Sequence, residues 1–183
     1  MSTTHELTTH LPQPGAKPTT SPRSGYAPAA LAALRVAIGF SFLWAALDKI
    51  FGWGFATPTA KSWINGGSPT KGFLSSSDGP LSGFYHAIAG SGVANVAFIL
   101  GLLLLGGAMI LGVGNRLSTF GGTLLFLMMW SVVLPPVQNP VLDEHLIQAL
   151  AVLVLGACHA GESFGLGQWW NAQPLVQRFP ILK

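Results

Sequence analysis

The chain has 183 residues, of which half are hydrophobic and only 8% are charged, and its formal net charge is +3. Because a typical soluble domain carries about 25% charged residues, this composition excludes an ordinary soluble fold and predicts an integral membrane protein in a lipid bilayer. The basic residues are scattered and form no block, which argues against nucleic-acid binding. The single cysteine, Cys158, excludes an internal disulfide and a CxxC redox pair.

The N-terminal residues 1–25 are rich in Ser, Thr and Pro and contain almost no large apolar side chain. Such a segment cannot bury enough surface to offset its conformational entropy, which predicts a disordered tail. It does not resemble a secretory signal, because the apolar run begins late and no obvious small-residue cleavage site follows it. We therefore divide the chain into this tail, a membrane domain over residues 26–170 and a short C-terminal tail over residues 171–183.

The predicted fold is all-α, a bundle of four transmembrane helices. The first helix covers residues 27–47 and is closed by Asp48 and Lys49. The second covers residues 93–113, where four glycines favour close helix packing. The third covers residues 117–134 and ends at a Pro-Pro pair, which cannot continue a helix.

The fourth helix is predicted to begin at residues 140–143 and to run to Cys158 or beyond. Its uninterrupted apolar run, residues 146–158, makes about 20 Å of helix, whereas a hydrocarbon core is about 30 Å thick. A spanning helix must therefore extend past one of these ends. Extension at the start brings the ionisable residues 143–145 to the interface, and extension at the end takes in the polar residues of 159–162.

The connection between the first two helices, residues 51–92, is long and rich in aromatic side chains. Because aromatic rings favour the headgroup level, we expect it to fold back as a cap on the outer end of the bundle. Its aromatic residues include Phe51, Trp53, Phe55, Trp63, Phe73, Phe84 and Tyr85.

Four crossings put both termini on one side of the membrane, and the Lys and Arg residues near the helix ends predict which side. A cytoplasmic N-terminus places more basic residues inside than outside, which predicts a multi-pass plasma membrane protein with both termini cytoplasmic. The inner set is Lys17, Arg23, Arg116, Arg178 and Lys183, and the outer set is Lys49, Lys61 and Lys71.

In this topology, ionisable residues from the first and fourth helices converge at the outer face, below the long connection. Acids, a base and an imidazole at one membrane face are a hypothesis for a working site. The alternative is structural, because acidic residues complement a helix N-terminus and an Asp-Lys pair can simply mark the membrane boundary. The candidate catalytic residues are Asp48, Lys49, Asp143, Glu144 and His145, and the candidate cofactor-binding residues are Trp44, Trp63 and His86.

Two further sets of polar residues lie within the predicted helices. We expect the Arg35 guanidinium to snorkel to the inner interface; the alternative is a partner inside the bundle, for which Glu162 is the nearest acid by topology. His145 and His159 fall on one helical stripe about 21 Å apart, as in two-haem proteins. We do not expect haem, because the other predicted helices contain no histidine, and no HxxxH or CxxC spacing predicts a metal site.

Five short stretches within residues 27–170 carry a family resemblance. They are Arg35–Phe40, Trp44–Gly52, Trp63–Pro69, Asp143–His145 and Gly165–Gly167. Together they resemble the DoxX/DoxD family of small four-helix membrane proteins. One branch includes the DoxD subunit of thiosulfate:quinone oxidoreductase, which passes electrons from thiosulfate to membrane quinone with a partner subunit, DoxA. Other branches are linked to membrane redox complexes and oxidative-stress resistance.

The resemblance implies a redox-linked role with quinone as cofactor and a second redox subunit as partner, since this chain carries no DoxA-like domain. His145 or Glu144 would then take part in proton uptake and release at the quinone. The alternative is a non-catalytic structural or assembly subunit of a respiratory or redox complex, and a homo-oligomer is also open. Transport through the polar centre is the least favoured class.

Overall fold

The computed structural model describes residues 25–183, which form helices and connecting segments with no β-strand in that range. The all-α prediction is therefore confirmed for this part of the chain. The predicted disordered tail falls almost wholly on residues 1–24, outside the described residues, as do Lys17 and Arg23. In chain order the α-helices are α1 (Tyr26–Phe51), α2 (Lys71–Leu74), α3 (Ser82–Ile88), α4 (Gly92–Leu111), α5 (Asn115–Val132), α6 (Glu144–Ala157), α7 (Gly167–Asn171) and α8 (Pro174–Arg178).

Two of the long helices, α1 and α4, are long and apolar enough to cross a membrane. Only 33% and 28% of their most apolar 18-residue windows are buried, unlike the core helix of a soluble protein. Large apolar side chains are exposed along all four long helices, and a continuous apolar surface indicates contact with lipid or protein. These side chains are Leu34, Val36, Phe40 and Phe51 on α1, Val93, Val96, Leu100, Leu104 and Leu111 on α4, Leu117, Phe120, Leu124, Leu127 and Met128 on α5, and Ile147, Leu150, Leu153 and Val154 on α6.

The fourth long helix, α6, differs from its prediction. It takes in Glu144 at its start, but it stops at Ala157 after 14 residues, about 21 Å. The prediction that it runs to Cys158 or beyond is therefore wrong. Asp143 caps the start of the helix by accepting a hydrogen bond from the Leu146 N–H. Just after the other end, His159 has a left-handed backbone conformation, with a φ of 50°.

The long helices pack as two antiparallel pairs, α1 with α4 and α5 with α6. In the first pair, a Cβ atom on Gly106 would lie 2.8 Å from the Gly39 carbonyl oxygen, so the two backbones are in contact. Between the pairs, Phe42 stacks on Phe126 with ring centroids 4.6 Å apart. The adjacent helices α4 and α5 touch over a shorter stretch, which includes the side chain of Leu105 on α4.

The 52–91 segment contacts the end of the bundle at which α1 and α5 finish and α4 and α6 begin, here called the upper end. On α4, the Asn95 side-chain oxygen accepts hydrogen bonds from the hydroxyls of Ser68 and Thr70 at 2.9 and 2.7 Å. On α5, Ser131 lies 2.5 Å from the hydroxyl of the buried Tyr85. The segment is thus attached to two helices by polar contacts.

The prediction that the Arg35 side chain snorkels to the inner interface is wrong. This residue is only 3% exposed and lies between α1 and α4. The guanidinium donates to the carbonyl oxygens of Met109 and Ile110 at the end of α4, and to that of Phe164. The last carbonyls of a helix lack partners within it, which explains the attraction. Glu162, the candidate partner under the alternative, instead accepts a hydrogen bond from a side-chain amide 3.2 Å away.

Candidate functional site

The start of α6 carries a carboxylate and an imidazole in direct contact. Asp143 Oδ1 accepts from the Leu146 N–H at 3.0 Å, and Asp143 Oδ2 lies 2.5 Å from His145 Nδ1. An ionised carboxylate can only accept, so Nδ1 carries the hydrogen and Nε2 is left to exchange a proton with another molecule. The pair is partly buried, with the His145 and Asp143 side chains 12% and 14% exposed.

The hydrogen bonds of Asp143 change its acidity. Burial raises the pKa of this carboxyl, but hydrogen bonds from His145 and from the Leu146 N–H outweigh that effect and hold the pKa below its ordinary value of 3.8. The carboxylate form is therefore favoured in the folded protein.

The Asp143→Asn variant is expected to lose a stabilisation that depends on pH. Because the native pKa is lowered, the contribution of the carboxylate is fully present above the unfolded-state pKa of about 3.9 and disappears as the pH falls through the native value. The difference in free energy of unfolding between wild type and variant should narrow as the pH falls below about 4. Detergent unfolding followed by circular dichroism at each pH measures it.

The exposed residue Asp78 provides the control for this titration. Its conversion to Asn should leave the stability close to that of wild type at every pH, because surface substitutions away from specific contacts have small effects. A constant difference for Asp143→Asn down to pH 3 would show that the ionised carboxylate does not stabilise the fold.

Phe73 connects the pair on α6 with a cavity of about 350 Å³. Its ring centroid lies 6.2 Å from that of His145, and the same side chain forms part of the cavity wall. The cavity lies at the upper end, between α4 and α5 and below α2 and α3. Its walls are mainly aromatic, thioether and aliphatic, and they include Tyr85, Phe98, Met128 and Met129. A mostly apolar cavity with a few polar groups is the usual form of a small-molecule site.

Lys49 brings a positive charge to this wall, with its Nζ atom 6.0 Å from the centroid of the Phe98 ring. Within the described part of the chain, no carboxylate lies within 4 Å of the ammonium. The neighbouring Asp48 is 1% exposed and accepts hydrogen bonds from the N–H groups of Phe55 and Ala56, at 3.4 and 3.0 Å. Lys49 is thus the cation available to an occupant of the cavity.

The predicted site residues separate into two groups in the structure. Lys49, Asp143 and His145 lie around Phe73, whereas the other five have different surroundings. Asp48 holds the start of the 52–91 segment. Glu144 and His86 are exposed, Trp63 is half-buried in a 3₁₀ turn, and Trp44 packs 5.2 Å from Trp53 and 5.0 Å from Phe55. Their roles in binding or catalysis stay predictions.

Sequence reasoning missed Phe73 as the shared wall, and it also missed the α4 and α5 side chains that line the cavity. An apolar or aromatic residue at helical spacing gives the same pattern whether it faces lipid, core or cavity. Comparisons of the chain with protein-family models, with curated proteins and with solved structures find no match.

Proposed function

We propose that this chain is a quinone-linked membrane protein of the DoxX/DoxD type, which passes electrons to membrane quinone with a partner subunit. The observation that carries this proposal is the position of Phe73 between the apolar cavity and the Asp143–His145 pair. A ring in the cavity would lie one side chain away from a group that can exchange protons.

The proposal places α1, α4, α5 and α6 across the bilayer as a four-helix bundle, with the aromatic-rich 52–91 segment on the outer side. The exposed apolar side chains on all four helices support this placement. At the other end, the Arg116 N–H donates to the Lys183 carbonyl at 2.6 Å, so two basic residues of the predicted cytoplasmic set lie together. The chain is then a multi-pass protein of the plasma membrane with both termini in the cytoplasm. Because α6 alone is shorter than the hydrocarbon core, the proposal also needs the segments that flank it, Asp143 at its start and the 3₁₀ turn Ala160–Glu162 after its end, to complete the crossing.

Reduction of a quinone to a quinol adds two electrons and two protons, and each carbonyl oxygen becomes a hydroxyl. The electrons come from the partner subunit, with thiosulfate as the donor by resemblance to the DoxD branch. Both protons come from water, and one of them passes through His145, whose Nε2 delivers it to the cavity by way of a water molecule while Asp143 holds Nδ1. This chain therefore supplies the quinone site and a proton path.

His145→Ala is expected to lower thiosulfate-dependent quinone reduction about 100-fold, the lower range for a general acid or base. The assay uses membranes that contain the full chain with its native partners and a soluble quinone analogue. His159→Asn is the matched control: His159 is exposed and has a φ of 50°, a conformation that Asn tolerates. It should keep the wild-type rate.

An unchanged rate in His145→Ala would remove this histidine from the mechanism. Co-purification of the chain with respiratory subunits, without turnover in any preparation, would instead favour the structural or assembly role.

A further inference from the structure

The cavity at the upper end lies between α4 and α5. A tight turn joins α4 to α5, and the lower parts of the two helices touch: a Cβ atom on Gly121 would lie 2.9 Å from Leu105 Cδ2. Their upper halves instead form two walls of the cavity. The side of the cavity that lies between the upper halves of α4 and α5 is here called the gap.

The residues at the gap face the exposed apolar surface of the bundle. Ala97 on α4 is exposed, and so is Met128 on α5, at 38% of its surface, although both line the cavity. The top of the cavity is covered by the 52–91 segment, which contributes Phe73 and the buried Tyr85. Ala97 and Met128 are thus the two exposed residues of the cavity wall, and both lie on its lateral side.

We propose that a quinone with a hydrocarbon chain enters this cavity sideways from the bilayer, through the gap between Ala97 and Met128. Its ring lies between the apolar walls, a carbonyl oxygen accepts a hydrogen bond from the Lys49 ammonium, and the chain stays in the gap and the surrounding lipid. This inference rests on the proposed function. It adds the entry route, the residue that binds the head group and the requirement that the quinone carry a hydrocarbon tail.

The size and lining of the cavity fit this occupant. A volume of about 350 Å³ is at the lower end of the range for ligand sites, which accommodates a ring but leaves a long chain outside. Aromatic and thioether side chains such as Phe98 and Met129 pack well against flat rings.

Charge complementarity points to the head group. The half-buried Lys49 lines the cavity, and its ammonium has no carboxylate within 4 Å among residues 25–183. A quinone oxygen gains negative character as electrons arrive, and a hydrogen bond from a cation to such an oxygen is stronger than one between neutral groups. Lys49 therefore positions the ring and favours its reduced form.

The test measures equilibrium binding of two radiolabelled benzoquinones to the complete protein in lipid nanodiscs. One benzoquinone carries a decyl tail and the other does not. Wild type should bind the chain-bearing form at least about tenfold more tightly, relative to the concentration of each quinone in the lipid. Ala97→Trp and Met128→Trp each fill the gap from a different helix, and each should weaken this binding about tenfold. Leu104→Trp, at a 70% exposed position on α4, is the matched control and should bind like wild type.

Lys49→Met removes the ammonium and keeps the length of the side chain. It should weaken binding about tenfold, a loss typical of one hydrogen bond to a charged group, while Lys49→Arg restores most of it. Elution of each variant as a single species in size-exclusion chromatography confirms that the loss is not due to misfolding.

The outcomes separate the inference from the proposed function. If the chain-bearing quinone binds the tryptophan and methionine variants as tightly as wild type, the site lies elsewhere and the inference is overturned, while the proposed function stands. If wild type binds no quinone, both are overturned; binding of labelled palmitate in its place would identify the cavity as a fatty-acid site.

Discussion

Replacement of Arg35 by methionine is expected to lower the free energy of unfolding by about 3 kcal/mol or more. The guanidinium is 3% exposed and donates to the carbonyl oxygens of Met109, Ile110 and Phe164. Methionine fills similar space but donates nothing, so three carbonyls lose a partner where little water can replace it. Unfolding in mixed micelles with increasing SDS, followed by circular dichroism, measures the loss.

The matched control is Arg116→Met. Arg116 is exposed, and its side chain makes one hydrogen bond, to the Pro180 carbonyl at 3.1 Å. Its loss should cost no more than about 0.5 to 1 kcal/mol. Arg35→Lys should fall between the two, because an ammonium keeps the charge but does not present the planar fork of donors. Equal stability of Arg35→Met and wild type would show that these bonds do not hold the helices together.

The long helices could be predicted from the sequence because their signals are local. Continuous apolar runs predicted α1, α4 and α5, and the observed ends of α5 lie within two residues of the predicted ones. The end of α6 could not be predicted in this way. It depends on the left-handed conformation of His159 and on the close packing of Gly161 against Gly112, where a Cβ atom would lie 2.5 Å from the Gly112 carbonyl oxygen. Such a contact between distant segments leaves no periodic pattern.

The sequence predicted the ionisable residues of the candidate site but not the cavity beside them. Asp143 and His145 stand two residues apart at a helix start, and an Asp at that position is a familiar cap, so their contact follows from local rules. The cavity that Lys49 and Phe73 share depends on how α1, α4, α5 and the 52–91 segment pack together, and composition and spacing do not determine helix packing angles. The partners of Arg35 could not be predicted either, because they are backbone carbonyls, which every residue provides.

Gly106→Ala is expected to destabilise the protein by about 2 to 3 kcal/mol, although alanine favours helix more than glycine does. The added Cβ atom would lie 2.8 Å from the Gly39 carbonyl oxygen and 2.8 Å from the Leu43 nitrogen. Both are backbone atoms of α1 and cannot rotate away, so the helices must separate. Separation would loosen the α1–α4 pair along its length and shift the carbonyls that Arg35 binds.

The next residue, Gly107, supplies a control within the same helix turn, because a Cβ atom there has no neighbour within 4 Å. Gly107→Ala should therefore be neutral or stabilise the protein by up to about 1 kcal/mol, through its effect on the unfolded chain. The two variants have the same composition and the same change in helix propensity. If the free energy of unfolding in SDS falls for Gly106→Ala and does not fall for Gly107→Ala, the difference is due to the contact between α1 and α4. If both variants are equally stable, α1 and α4 do not pack through their glycines.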